Sequence, residues 1–160
     1  MHRPLIFLDV DGTLIPFGGD NYPTYHTDNR NPLLSRLDPA HGARLSALSC
    51  ELVWATTWQS DANDLIAPLL GLPPLPVVDW PAVDDEEPPG LHWKTSTLVA
   101  YAAGRPFVWV DDEVGAVDRA WVAAHHNGEA LLHKVDPRMG INFDDYSILD
   151  AWRRRTRMAD

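Results

Sequence analysis

The sequence predicts one α/β domain, a parallel sheet with helices on both faces. Apolar runs of strand length alternate along the chain with stretches of helical spacing, the order of strand–helix–strand units. Three runs, Leu5-Ile6-Phe7-Leu8, Leu52-Val53-Trp54-Ala55 and Phe107-Val108-Trp109-Val110, end directly in carboxylates or hydroxyls. An open α/β sheet binds its ligand at the carboxyl ends of its strands, so chemistry is expected there. The 160 residues, 45% of them hydrophobic, suffice for one domain with a real core.

The first strand runs from about Pro4 to Val10. Residues 14–39 hold many Pro, Gly and Asn and predict a flap or irregular loop. A helix follows at about Pro39–Leu48, then a second strand at Glu51–Thr56. Asp61–Leu70 has helical periodicity, with Ser60 as N-cap and Gly71 as C-terminal stop. Leu75–Val78 reads as a short third strand, and residues 79–92 as a Pro-rich irregular stretch. Within it, the proline-bracketed run Asp84-Asp85-Glu86-Glu87 predicts an exposed loop. A helix at about Thr95–Ala103 is ended by Gly104, and the fourth strand is Phe107–Val110. A helix at about Gly115–His125, a fifth strand at about Ala130–Val135 and a last helix at about Phe143–Arg155 complete the order.

Asp9-Val10-Asp11-Gly12-Thr13 follows the first apolar run without a break. Along a strand, side chains at i and i+2 point to one side, so the two carboxylates are expected together. Like charges about 4 Å apart at an effective dielectric near 20 repel by about 4 kcal/mol. A cation that draws oxygen ligands, Mg2+ above all, offsets that cost and recruits a phosphate. Gly12 and Thr13 let the backbone turn sharply beside the ligand. The string reads as metal-assisted phosphoryl chemistry, with a calcium loop or a plain strand-to-turn exit as the alternative.

Asp9-Val10-Asp11-Gly12-Thr13-Leu14 resembles the first motif of the haloacid dehalogenase (HAD) superfamily of aspartate-nucleophile phosphohydrolases. The resemblance implies Asp9 as nucleophile and Asp11 as general acid and base, serving an aspartyl-phosphate intermediate. An acid at the second position argues for phosphate over halide. Glu51-Leu52-Val53-Trp54-Ala55-Thr56-Thr57 looks like the second motif, whose hydroxyl binds the phosphoryl oxygens; Thr56 is assigned and Thr57 is the alternative. Gly90-Leu91-His92-Trp93-Lys94-Thr95 resembles the third, with Lys94 holding the charge of nucleophile and phosphate together. Phe107-Val108-Trp109-Val110-Asp111-Asp112 resembles the fourth in its Asp-Asp form. Mg2+ would then be held by Asp9, Asp111 and the backbone carbonyl of Asp11, with Asp112 as a water-mediated partner. The same likeness implies a three-layer, Rossmann-like fold with strand order 3-2-1-4-5.

Members of the superfamily often carry a cap domain. Residues 12–55 and 58–93 must also supply core helices and strands, so neither gap leaves room for one. The expectation is a single domain over residues 1–160 with a flap at about 14–39 and no large cap. Motif order, the missing cap and Ala55-Thr56-Thr57-Trp58 are similar to small bacterial members, some of whose relatives form the phosphatase module of RNA-repair proteins.

Charge and aromatic content bear on partners. The formal net charge of −10 disfavours tight, sequence-independent binding of nucleic acid. Arg153-Arg154-Arg155 with Arg157 reads as a solvated helix end. The single cysteine, Cys50, excludes an internal disulfide and reads as a buried, inert thiol. No apolar run reaches the roughly 18 residues of a membrane helix, so a cytoplasmic protein is expected. Trp54, Trp109 and Trp121 read as core, and His125-His126 as a helix terminus. Trp58, Trp93, Tyr22, Tyr25 and His26 lie near the motifs or in the flap, where aromatic faces can stack a nucleobase. Trp58 is taken as a pocket wall and joins Gly12 and Thr57 as substrate-binding residues.

These readings converge on a Mg2+-dependent phosphohydrolase cleaving a phosphate monoester through an aspartyl-phosphate on Asp9. The alternatives are a nucleotide or nucleic-acid-end phosphatase, phosphotransfer to a sugar, and a non-catalytic phospholigand-binding module. An open site suits either a small phosphate ester or a phosphorylated macromolecular end.

Overall fold

A computed structural model of the chain describes residues 3–26, 31–82 and 87–158. Its sheet is all-parallel and contains β1 (Leu5–Leu8), β2 (Glu51–Trp54), β3 (Phe107–Asp111) and β4 (Ala130–Lys134). The spatial order is β2-β1-β3-β4. Leu8 pairs with Trp54 on one side and Val110 on the other, so three strands end level. The helices are α1 (His41–Ser46), α2 (Ala67–Leu70), α3 (Thr95–Ala102), α4 (Ala116–His125) and α5 (Phe143–Met158).

Alternation along the strands builds two cores. Ile6 and Leu8, with Trp54 and Val110, pack against Leu45 of α1, Leu70 of α2 and Trp152 of α5. Leu5 and Phe7, with Val53 and Trp109, pack against Leu98 of α3 and Val122 of α4. Each such side chain contributes about 2 kcal/mol by leaving water, which is why runs apolar throughout become strands covered on both faces. The three-layer α/β class is the one the sequence predicts.

The expected third strand is not a strand. Its contact with β2 shrinks to one bridge, Val77 beside Trp54. Trp54 N–H donates to the Pro76 carbonyl at 2.9 Å, and Val78 N–H donates to the Trp54 carbonyl at 3.0 Å. Pro73, Pro74 and Pro76 have no N–H, so the ladder cannot extend toward the N-terminus. A side chain does the holding instead. Asn63 accepts from Leu75 N–H and donates to the Leu75 carbonyl, both at 2.8 Å. The sheet thus differs from the expected five-strand order in having four strands, its outermost place reduced to a bridge.

Element ends differ in smaller ways. Asp61, not Ser60, precedes the second helical segment, and no side chain caps it. That segment opens as a π-helix over Ala62–Ile66 before α2, and Gly71 ends it at φ 69° as expected. Ala103, already left-handed at φ 49°, stops α3 one residue before Gly104. α5 continues past Arg155 to Met158. In the flap, a 3-10 turn at Pro32–Arg36 is the regular element among the described residues. Residues 27–30 of the flap, residues 84–86 of the acidic run and the side chain of Arg157 lie outside the described residues. No helix among the described residues is long and apolar enough to cross a membrane.

Candidate active site

Regular pairing of β1 ends at Leu8, but Asp9 stays clamped to the neighbouring strand, its N–H donating to the Val110 carbonyl at 3.1 Å. The chain then turns tightly, with the Val10 carbonyl accepting from the N–H groups of Thr13, Leu14 and Ile15. Gly12 occupies this turn at φ +81°, and a Cβ there would lie 2.5 Å from Asp112 Oδ2. Both the left-handed backbone and the close carboxylate demand glycine. The turn is braced from outside by Ile141 N–H donating to the Thr13 carbonyl and Phe17 N–H to the Pro137 carbonyl, both at 2.8 Å.

Lys94 is the cap residue of α3, and its ammonium joins the ends of three strands. Nζ donates to Asp9 Oδ1 at 3.0 Å beyond β1, to Asp111 Oδ2 at 2.9 Å on β3, and to the Ala55 carbonyl at 2.8 Å beyond β2. The side chain is 4% exposed, so these bonds stand in for water. Trp93 and Trp80 present their rings 5.5 and 5.9 Å from Nζ. Asp118 of α4 fixes the segment that carries the lysine. Its carboxylate accepts from His92 N–H at 2.8 Å, from the Thr95 hydroxyl at 2.7 Å and from Gly115 N–H at 2.9 Å.

Asp9, Asp111 and Asp112 each bring one carboxylate oxygen within 4.8 Å of the others. Burial pushes Asp9 up to about 8; Lys94 opposes the rise and Asp111 adds to it. Burial also raises Asp112, to about 6, with Asp111 adding to the rise. For Lys94, burial disfavours the ammonium, but Asp9 and Asp111 outweigh it and hold the group above its usual range. Both oxygens of Asp111 have partners: Oδ2 also accepts from Trp109 Nε1 at 3.2 Å, and Oδ1 accepts from Glu113 N–H at 3.0 Å. Three carboxylates against one ammonium leave the cluster short of positive charge.

Four residues singled out by sequence, Asp9, Lys94, Asp111 and Asp112, thus come together. Asp11 does not join them through its side chain. Pairing ends before Asp9 and the turn begins, so i, i+2 parity no longer applies. Asp11 Oδ2 instead accepts from the indole N–H of Trp58 at 3.1 Å. The acidic crowding expected between Asp9 and Asp11 is found between Asp9, Asp111 and Asp112. Thr56, two residues beyond β2, is fully buried, and its hydroxyl oxygen accepts from Trp58 N–H at 3.1 Å. Thr57 is exposed.

The remaining aromatics divide. Trp54 and Trp109 are core, whereas Trp121 is half-buried and stacks on His125. Trp93 is 44% exposed beside Lys94. Tyr22 is taken up by the flap, donating to the Arg138 carbonyl at 2.9 Å, while Tyr25 is exposed. Cys50 is buried as expected. Asp118, Trp80 and Trp109 were not legible as site residues. Only the spacing of Gly115 and Asp118 carried a signal, that of a helix start with an acid three residues on.

No curated protein and no solved structure matches the chain. Residues 5–146 match the family described as the HAD domain in Swiss Army Knife RNA repair proteins. That span contains every residue of the acidic cluster and its lysine, and all four strands of the sheet. The chain therefore belongs to this family of HAD domains.

Proposed function

We propose that the chain is a metal-dependent phosphohydrolase that cleaves a phosphate monoester through an aspartyl-phosphate on Asp9. The observation that carries this reading is the Lys94 ammonium lodged between Asp9 and Asp111, at 3.0 and 2.9 Å, inside a group of three acids. A lysine so placed opposes the burial that raises Asp9 and favours the ionised, nucleophilic form of its carboxylate.

The donor set fits a hard divalent cation, being all oxygen and rich in charge. Mg2+ would be held by Asp9, Asp111 and Asp112, with the Asp11 backbone carbonyl. When bound it supplies positive charge for the oxygens of the transferring phosphoryl group. The chain's own groups do the rest. An Asp9 carboxylate oxygen attacks phosphorus as the bond to the leaving oxygen breaks, and Asp11 gives that oxygen its proton. Lys94 and the Thr56 hydroxyl stabilise the phosphoryl oxygens. Asp11, now a carboxylate, takes a proton from water as the water oxygen bonds to phosphorus. The Asp9–phosphorus bond breaks and inorganic phosphate leaves.

The reading includes a single domain without a large cap, its site overlain at most by the flap. Phe17, from the start of that flap, reaches within 3.0 Å of where a Gly12 Cβ would be. The RNA-repair description of the family favours a phosphorylated nucleic-acid end as substrate. A net charge of −10 opposes a long polyanion contact, so recognition centres on the terminal phosphate and its nearest nucleoside.

Phosphate release from a phosphorylated oligonucleotide and from p-nitrophenyl phosphate tests the proposal. Asp9→Asn should lower turnover by at least about 1000-fold, and EDTA should abolish it until magnesium is restored. Turnover that survives both treatments overturns the reading.

A further inference from the structure

We infer that Trp58 is a positioning residue for Asp11, an inference that rests on the phosphohydrolase reading. Its indole N–H donates to Asp11 Oδ2 at 3.1 Å and, among the described residues, is the one donor to that carboxylate. Oδ2 is thereby engaged, and Oδ1 is the oxygen left to carry the proton for the leaving group. A carboxylate with both oxygens unanchored would rotate between geometries, and proton transfer depends on holding one of them.

The loop that presents Trp58 is fixed at several points. Trp58 N–H donates to Thr56 Oγ1, so the Thr56 hydroxyl hydrogen is directed elsewhere. Gln59 N–H donates to the Thr56 carbonyl at 3.2 Å, and Asp61 N–H to the Trp58 carbonyl at 3.0 Å. Trp80 Nε1 donates to that same Thr56 carbonyl at 3.1 Å. Gln59 lies in the left-handed region at φ 51°, a strained conformation for a residue other than glycine. That strain persists because the surrounding bonds over-determine the turn. The Trp58 ring packs against the core layer formed by Leu8 and Trp54. One residue therefore links the acid of the first motif to the hydroxyl of the second. A ring serving only as a pocket wall would need no N–H, and phenylalanine would replace it.

Trp58→Phe keeps the ring packing and deletes the donor. The measurement is kcat/KM, which covers steps through departure of the leaving group, for p-nitrophenyl phosphate, phenyl phosphate and glycerol 2-phosphate. These release oxygens of rising basicity and increasing need for a proton. The expected result is a loss of about tenfold or more for glycerol 2-phosphate, against about threefold or less for p-nitrophenyl phosphate. In an Asp11→Asn background the same substitution should add almost nothing, because the group it positions is gone. Reading the ratio between substrates in one preparation guards against partial unfolding, which lowers all three alike. A uniform loss, no loss, or an undiminished effect in the Asp11→Asn background overturns the assignment while the phosphohydrolase reading stands. Wild-type protein that turns over none of the three esters and no phosphorylated oligonucleotide overturns that reading, and the role of Trp58 with it.

Discussion

Two buried polar centres in this molecule handle ionisation in opposite ways. At the strand ends, the buried Lys94 stays an ammonium because Asp9 and Asp111 lie against it. Between α1 and α5, His41 Nδ1 and the Tyr146 hydroxyl share a 2.8 Å hydrogen bond as a neutral pair. Burial pushes His41 down to about 4, with Arg44 adding to the fall and Asp38 opposing it. Burial drives the Tyr146 hydroxyl far above its usual range. Depth is similar, since His41 is 7% and Asp9 6% exposed. Charge survives burial where a counterion is supplied at hydrogen-bond distance and is shed where none is. The first centre gathers acids and an ammonium at the strand ends, and the second joins two helices through a neutral hydrogen bond.

The largest expected effect comes from removing the counterion. Lys94→Met leaves buried carboxylates without an ammonium and should cost about 4 kcal/mol in urea unfolding, with loss of turnover. Magnesium should return a larger share of stability to this variant than to wild type. An unchanged midpoint would mean that the acids simply take up protons, as His41 sheds one, and the contrast would disappear.

A smaller effect probes the neutral pair. His41 binds its proton less readily in the fold, at about 4, than in the unfolded chain, at about 6.5. As pH falls through that window the unfolded state takes up more protons, so stability is full above about 6.5 and declines toward 4. The decline attributable to His41 is up to about 3 kcal/mol. His41→Phe should flatten it, as read from the difference between wild-type and variant urea midpoints at each pH. Parallel curves would assign the acid sensitivity to other groups.

The mildest expected effect is at Gly12→Ala. The left-handed backbone and the crowded Asp112 carboxylate should cost about 2 kcal/mol in thermal unfolding. Displacement of Asp112 should also weaken magnesium binding by calorimetry. A variant with wild-type melting and binding would show that the turn has slack, unlike the rest of the acidic centre.

The charged centre was largely legible in the sequence, because carboxylates that interrupt apolar runs stand out in any register. Asp9, Asp111 and Asp112 were found that way, and Lys94 through its place in the order of motifs. What escaped depends on long-range geometry. Parity along a strand predicted Asp9 and Asp11 on one side, yet pairing stops at Leu8 and the turn sends Asp11 to Trp58, 47 residues away. The pair His41 and Tyr146, 105 residues apart, carries no local pattern at all. In the segment around Leu75–Val78 hydrophobicity suggested a strand, but the prolines withheld the donors a ladder requires, and only the Val77 bridge formed. The fold class survived these misses because it rests on the alternation of whole elements.

The brace on the first turn ties the two ends of the chain into one mechanical unit. Thr13 is gripped through Ile141, just ahead of α5, although the acids themselves lie far earlier in sequence or at the end of β3 and just beyond it. A fragment ending after β4 would retain the three clustered acids and the lysine, yet Asp9 would stand beside a turn with one support gone. By the same token, a domain tethered through α5 would have a direct lever on the position of Asp9.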